Sequence, residues 1–199
     1  MADATLPIPP SKIEENHPWR DWFNRLNQSI KDYISVAPIP ANNLVVAYGQ
    51  FIDTTTQTLA ANTPTVFTYN TTGVSSNVSV VSNSRITLAV AGLYQISMAL
   101  QVQNSSAGLE DLDVWLRKNG SDISNSVMSY SVSNKHGGVN GKMVVSWDYL
   151  IRVAASDYLE VVWASTAATL SVVAGAAIAV PYTRPAVESV LISVLQITS

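Results

Sequence analysis

The strongest constraint on the fold is a regular alternation in the stretch GLYQISMALQVQN, residues 92–104. Successive side chains of a β-strand point to opposite faces, so a period of two predicts one long strand with an apolar core face. Burial of each core-facing side chain stabilises a fold by about 1.5–3 kcal/mol, which makes this strand a major core element. The predicted core residues are Tyr94, Ile96, Met98, Leu100 and Val102.

The same alternation continues from residue 41 to the end of the sequence, with turn-forming residues such as Asn119-Gly120-Ser121 between the runs. No helical period separates the runs, so we expect ten or so strands in an antiparallel sandwich or barrel. The predicted strands are 44–54, 65–69, 78–81, 85–90, 92–104, 113–118, 123–133, 139–153, 157–164, 169–173 and 187–197.

The second face of these strands differs from an ordinary exposed face, which carries charges that discourage edge pairing. Here it is made of small or uncharged groups, and only 13% of the chain is charged, against roughly 25% in a typical domain. Such a face can be buried against another copy at a tolerable desolvation cost. We expect an oligomer; a Ser/Thr/Asn-coated surface of a very stable extracellular protein is the alternative. The interface candidates are Gln95, Ser97, Ala99, Gln101, Trp115, Tyr158 and Val162.

Residues 1–40 have a different composition from the rest of the chain. They hold nine charged side chains and end at Pro38-Ile39-Pro40, which predicts two domains, 1–40 and 41–199. Three prolines within the first ten residues predict an extended N-terminal arm. A helix is expected to follow, with Asn16 as its N-cap and Pro18 in its first turn.

The predicted helix carries large apolar residues at alternating spacings of four and three, the seam pattern of a coiled coil. This stripe predicts self-association or docking on a partner. The alternative is that the helix packs the stripe on its own domain. The residues of the stripe, with a neighbouring tryptophan, are Trp19, Trp22, Phe23, Leu26, Ile30 and Tyr33.

Composition argues against several partners. The net charge of −3 gives no field that would gather nucleic acid or an anionic membrane, and basic residues are scattered. The uncharged run between Glu160 and Arg184 is long enough to span a bilayer, but polar residues, Gly175 and Pro181 interrupt it, so we expect strands and turns. The chain has no cysteine, and its first residues lack the apolar segment of a secretory signal.

Motifs for catalysis and for phosphate or dinucleotide binding were not found in the sequence, so we expect no cofactor, no bound metal and no enzyme activity. His17 and His136 are far apart in sequence, and His136 is expected in a loop. A calcium site was weighed against a solvated loop for the acidic residues Glu110, Asp111, Asp113 and Asp122, and the loop is preferred. A glycan-stacking platform was weighed against core packing for Trp115, Tyr130, Trp147, Tyr149, Tyr158 and Trp163, and core packing is preferred.

Three motifs, in this order, resemble those of the complement globular-head and tumour-necrosis-factor-like jelly rolls. The first is Ile86 followed by Gly92-Leu-Tyr94-Gln-Ile96-Ser-Met98, and the second is Val114-Trp-Leu116-Arg-Lys-Asn119-Gly120. The third is Ala155-Ser156-Asp157-Tyr158-Leu159-Glu160-Val161, in which Ser156 stands where the family usually has glycine. The resemblance covers roughly residues 44–197 and implies an antiparallel jelly-roll β-sandwich, all-β, preceded here by an N-terminal extended arm and one α-helix.

The resemblance also implies a homotrimer used for recognition or adhesion and not for catalysis. The version carried by bacteriophage particles looks most similar, because it combines a short proline-containing arm, a Trp-rich helix and a trimeric knob. We therefore expect a structural virion protein, assembled in the host cytoplasm, that decorates or cements a capsid. Its expected partners are itself and the major capsid protein or another virion protein. The alternative is a tail-fibre knob that recognises a host surface glycan through loops 104–112 and 134–141; a polysaccharide depolymerase was considered and set aside.

Overall fold

The computed structural model describes residues 18–36 and 46–198. The chain divides into two units, with the division after Leu44, and each unit is described by itself. The predicted extended arm, the Asn16 cap and the proline-marked joint at residues 38–40 lie outside the described residues.

The predicted helix is present as α1, Pro18–Val36. Pro18 is its only proline, and helix-favouring Arg, Leu, Gln and Lys residues recur along its length. The amide of Gln28 donates a hydrogen bond to Asp32 one turn later, at 2.8 Å. Within the described residues, no helix combines the length and the apolar character needed to cross a bilayer.

The second unit is built from strands. Those that pair with at least one neighbour are β1 Tyr48–Asp53, β2 Gln57–Thr58, β3 Thr65–Val66, β4 Thr71–Ser76, β5 Val78–Val81, β6 Arg85–Leu88, β7 Gly92–Asn104, β8 Glu110–Lys118, β9 Ser121–Asp122, β10 Met128–Val132, β11 Gly141–Val153, β12 Tyr158–Ala164, β13 Leu170–Val172 and β14 Val190–Thr198.

These strands form two antiparallel sheets. The first sheet has the order β4–β1–β14–β7–β11, and β13 shares an edge of β7 with β14 and pairs on its other side with β2. The second sheet has the order β5–β6–β12–β8–β10, with β3 beside β12 and β9 beside β8.

The pairing of the eight principal strands is nested along the chain. The first pairs with the last (β1 with β14), the second with the seventh (β6 with β12), the third with the sixth (β7 with β11) and the fourth with the fifth (β8 with β10). This is one long folded-over hairpin divided between two sheets, which defines a jelly roll. The predicted fold class is therefore confirmed.

The core lies between the two sheets and receives alternate residues of each long strand. On β7 the five predicted core residues, Tyr94 through Val102 in steps of two, are all buried. From the second sheet, Trp163 is fully buried and stacks on Phe67 with ring centroids 4.9 Å apart. Stacked rings at this separation add to the stability gained from burial alone.

Several predicted strands differ from the structure at their ends, and the two-residue strands β2 and β9 were not predicted. Two larger differences have a physical reason. The strand predicted over 123–133 begins only at Met128, because Ser126 closes a turn in which its hydroxyl donates to the carbonyl of Ile123 at 2.8 Å. Strand β4 was not predicted, because most of its side chains are exposed and polar and show no apolar alternation. It forms because the edge of β1 is open to pairing.

The glycine that opens β7 is required by a close approach. A Cβ atom on Gly92 would lie 2.4 Å from the carbonyl oxygen of Thr198 on β14, well inside van der Waals contact. Two residues later the hydroxyl of Tyr94 donates to the carbonyl of Val90 at 2.8 Å, which ties the start of β7 to the turn before it. The Gly-x-Tyr sequence thus fixes the beginning of β7, one of the two longest strands.

The turn between β11 and β12 holds Ser156 in the left-handed region, at φ 71°. This conformation costs a non-glycine residue about 1–2 kcal/mol, so Ser156→Gly is expected to raise the free energy of unfolding by about 0.5–1 kcal/mol after the greater chain entropy of glycine is subtracted. Urea denaturation measures the change. The neighbouring Ala155→Gly, at a position without positive φ, should instead lower stability, and equal effects at both positions would contradict the explanation.

Candidate self-association surface

The first sheet has one face in the core and one face turned outward, and the strand registers place the outward side chains in rows. One row crosses four strands from Leu150 on β11 through Gln95 and Leu195 to Tyr48 on β1. The next two rows in the direction of the C-terminal end of β7 run through Ser97 and through Ala99. We call this surface the outer face; its central residues are Tyr48, Gln50, Ile52, Gln95, Ser97, Ala99, Gln101, Leu191, Ser193 and Leu195.

The three inner strands of the outer face, β1, β14 and β7, place no charged side chain on it. Charges occur on the edge strand β11, at Lys142, Asp148 and Arg152. Asp148 is itself engaged, because the hydroxyl of Ser97 donates a hydrogen bond to its carboxylate. The interior of this face can therefore lose its water without stranding an ion.

Large apolar side chains stand exposed on the same face. Leu150 is 58% exposed, Leu195 48% and Tyr48 40%, and all three lie in one row. Val144 and Ile197 are similarly exposed on β11 and β14. A contiguous apolar patch bounded by polar residues is typical of an interaction site on a protein surface.

Of the predicted interface residues, Gln95, Ser97, Ala99 and Gln101 all lie half-buried on this outer face. The other three, Trp115, Tyr158 and Val162, lie on the second sheet. The structure therefore does not bring the seven residues into one surface. A period of two shows which strand residues share a face, but it does not show which strands share a sheet.

Val162 is not an interface residue. It is 0% exposed within the single chain, because β12 pairs with β8 on one edge and with β3 on the other, where Val162 stands opposite Val66. Strand β3 is only two residues long, so no clear pattern in the sequence indicates that β12 is enclosed on both sides.

Trp115 and Tyr158 are half-buried and have partners within the chain. The indole of Trp115 and the guanidinium of Arg117 each donate to the carboxylate of Asp122 at 2.9 Å. These two hydrogen bonds, that of Trp115 first, hold the pKa of Asp122 below its usual value. The Arg85 guanidinium lies 4.8 Å from the ring centre of Tyr158, a cation–π contact.

The helix exposes part of its predicted stripe. Phe23 and Ile30 are exposed and Trp22 and Leu26 are half-buried, and the rings of Trp22 and Phe23 meet edge to face at 4.9 Å. Trp19 and Tyr33 fall within α1, but their side chains lie outside the described part of the structure. The stripe therefore exposes apolar side chains on one face of an amphipathic helix, where a partner could cover them.

Three of the four acidic residues weighed for calcium accept hydrogen bonds from donors of the chain. Ser131 donates to Asp111, Ser129 donates to Asp113, and Asp122 accepts from Trp115. Among residues 18–36 and 46–198, no three acidic or histidine side chains gather closely enough to hold a metal ion. His136 lies in an exposed loop, bridged through its backbone to Val139, and His17 lies outside the described residues.

Two carboxylates are buried in the described part of the chain, those of Asp53 and Glu160. Asp53 accepts hydrogen bonds from the backbone N–H of Thr55 at 2.7 Å and from the hydroxyl of Thr68 at 3.0 Å. Glu160 accepts hydrogen bonds from the hydroxyl of Ser84 and from Arg85, both at 3.4 Å, and so is paired. Burial, and secondarily the charge of Glu160, raise the pKa of the Tyr69 phenol well above its usual value. Tyr69 therefore stays neutral at any ordinary pH and serves as a core aromatic residue.

The aromatic residues weighed as a glycan platform are divided between core and surface. Trp147 and Trp163 are buried, and Tyr149 stacks on Trp147 at 5.6 Å. Tyr130 donates to the carbonyl of Ser146 at 2.9 Å and is half-buried, like Tyr149. These side chains pack within the chain, as the preferred core interpretation predicted.

Sequence reasoning missed a junction between two loops at one end of the sandwich. The backbone N–H of Lys135 donates to the carbonyl of Ser106 at 2.7 Å, and the amide of Asn134 donates to that of Ala107 at 3.0 Å. The two loops therefore form one surface, which carries the exposed side chains of Leu109 and Val139. No local signal predicts this contact, because the loops are separated by the whole of β8 and β10.

Comparisons with known proteins find similarity among solved structures only. No protein-family model matches the chain, and no curated protein matches it. Among solved structures, the chain is similar to the globular domain of zebrafish complement 1qA protein, at 14% identity and a TM-score of 0.44, over 76% of this chain and 97% of that chain. The nested strand pairing of the chain itself defines it as a jelly-roll sandwich.

If the outer face is covered by another copy, a charge at its centre should prevent association. Ala99→Lys is expected to yield folded single chains, because burying an unpaired ammonium group costs several kcal/mol. Light scattering gives the mass, and far-ultraviolet circular dichroism checks the fold. The matched control is Ala89→Lys, at an exposed position outside this face. If Ala99→Lys associates as the unaltered chain does, the outer face is not the interface.

Proposed function

We propose that the protein is a structural component of a bacteriophage particle, a homotrimer that decorates or cements the capsid. The single observation that carries the proposal is the outer face of the first sheet, where uncharged strands present a patch of exposed apolar side chains. In this proposal the outer faces are covered in the trimer, and the major capsid protein or another virion protein is the second partner.

The exposed apolar residues of the helix support different roles for the two units. Phe23 and Ile30 are exposed on a helix that is separated from the β unit by the division after Leu44. We assign residues 1–40 to virion attachment or trimerisation, and the jelly roll to display. Three linked copies of such a segment bind with an avidity well above the affinity of one copy, as long as all three reach their sites together.

A non-catalytic role agrees with the chemistry of the described residues. The carboxylates of Asp113, Asp122 and Glu160 each accept a hydrogen bond from a donor of the chain, so their oxygens are engaged in structural contacts. We therefore assign the function of the protein to binding through its surfaces.

Deletion of residues 1–40 tests the attachment role. The truncated protein is expected to remain a folded trimer, since the outer face is intact, but its incorporation into particles should fall by a factor of about 100 or more with the loss of the three-copy contact. Particle incorporation is measured by co-sedimentation with capsids that lack the protein. The milder pair Phe23→Asp and Ile30→Asp, with Asn24→Asp as the matched control, tests the apolar stripe alone. Normal incorporation of the truncated protein would rule out the attachment role.

A second candidate function, recognition of a host surface glycan, is favoured by the joined loops 104–112 and 134–141. Their mutual hydrogen bonds make a fixed surface at one end of the sandwich, with Leu109 and Val139 exposed on it. A glycan would pack on the apolar groups and bond to the surrounding Ser and Asn side chains.

A glycan array with the purified trimer separates the two functions. If the loops bind a glycan, Asn134→Ala should weaken that binding about tenfold, because it removes a hydrogen bond that joins them. Asn125→Ala, in a different loop, is the control. An array without binding at high protein concentration leaves decoration as the function.

A further inference from the structure

A hairpin formed by residues 174–188 rises between β13 and β14 and was predicted only as a turn. Gly175 and Val187 exchange two backbone hydrogen bonds at 2.8 Å, and Ile178 and Arg184 exchange two more at 3.1 and 3.0 Å. Beyond the second pair, residues 179–183 are all exposed. We call this element the 174–188 hairpin and residues 179–183 its tip.

The tip is apolar and uncharged. Val180 is 83% exposed and Tyr182 64%, with Pro181 between them. The nearest charged group, the guanidinium of Arg184, is turned back onto the base of the hairpin, where it donates to the carbonyl of Pro185 at 3.1 Å. An apolar tip held away from its own core gains stability only when another surface covers it.

Two hollows flank the base of the hairpin, and both are lined partly by residues of the first sheet. One hollow, of about 520 Å³, lies between the hairpin and the outward residues of β7 and β11; its sheet-side lining includes Gln101, Gln103, Lys142 and Val144. The other, also of about 520 Å³, lies toward β1, with Ile52, Thr54 and Thr56. We call them the β11 hollow and the β1 hollow. Spaces of this size hold several side chains.

The hairpin and the hollows therefore belong to the same side of the molecule as the outer face. When copies associate through that face, each hairpin is brought beside the hollows of its neighbour. A projection on one copy that enters a depression on the next is a heterologous contact, and such contacts close into a ring when the rotation between copies allows it.

The charges around the base fit this arrangement. The β11 hollow carries Lys142 and Arg184, whereas the β1 hollow carries Glu188. A heterologous contact sets one side of a hairpin against the opposite side of the next. In that arrangement Lys142 and Arg184 of one copy approach Glu188 of its neighbour. This charge complementarity favours one direction of rotation from each copy to the next.

We propose that the 174–188 hairpin is an exchange element that inserts its tip, Val180 to Tyr182, into the β11 hollow of a second copy of this chain. The proposal rests on the proposed self-association and adds the contact that closes it. The occupant of the hollow is a second copy because the hairpin and the hollow are adjacent parts of one face, and because the cations of the β11 hollow are complementary to the anion of the β1 hollow on a neighbouring copy.

Assembly of the full-length chain tests the proposal. Val180→Lys together with Tyr182→Lys should raise the protein concentration at the assembly midpoint about tenfold or more, since apolar burial is lost and the new cations meet Lys142 and Arg184 in the hollow. Sedimentation velocity over a dilution series measures the midpoint. The matched control is Val127→Lys, at an exposed loop position just before β10, and its midpoint should stay within about twofold of the unaltered chain.

A cross-link tests the location of the tip. The chain has no cysteine, so a disulfide between Tyr182→Cys on one chain and Val144→Cys on a differently tagged chain reports only that contact. Covalent dimers bearing both tags are expected from co-expressed chains after mild oxidation, and each variant alone serves as the control.

The outcomes separate this inference from the function it rests on. If the unaltered protein is a single chain at all concentrations, both the proposed self-association and the hairpin exchange fail. If it forms a trimer but the hairpin variants assemble normally, or the mixed disulfide does not form, only the hairpin exchange is overturned. Normal assembly of the hairpin variants combined with loss of particle or cell binding would show that the tip serves a different partner, which also overturns it.

Discussion

The structure depends on the pairing of β7 along both of its edges. On one side it is bonded to β11 along its whole length, and on the other side β14 and β13 share its edge. Its register decides which residues of its neighbours face the core, because a shift of one residue would turn every core side chain outward. Gly92 fixes where the strand begins, and the alternating burial from Tyr94 to Val102 leaves one consistent register.

The outer face follows from the same registers. Once the odd-numbered residues of β7 are directed away from the core, Leu150 and Leu195 are brought into line with Gln95 from strands far apart in the sequence. The result combines what a protein interface needs at its centre: exposed apolar area without charges that would have to be desolvated. The charged side chains stay on β11, at the edge, where water can still reach them.

The molecule divides into a helical unit and a β unit. Its distinctive features are surfaces: the apolar stripe of α1, the outer face and the 174–188 hairpin. Its ionisable groups, in contrast, are mostly occupied by structural contacts, as in the Trp115–Asp122–Arg117 group and the buried Arg85–Glu160 pair. Such contacts hold strands together and leave little free chemistry.

Local sequence pattern was sufficient to predict the main core strand and the helix. The alternation in residues 92–104 determined strand β7, and the spacing from Trp19 to Tyr33 determined the helix. Both signals depend only on the direction in which successive side chains point. Long-range pairing determined which strands and loops lie beside one another. Only the tertiary structure showed that Val162 is enclosed by β3, that the loops at Ser106 and Lys135 are joined, and that the hairpin at Val180 stands beside the hollows of the outer face. The physical reason is that a strand's own sequence specifies its two faces, whereas its neighbours are chosen by distant segments that compete for its free edges.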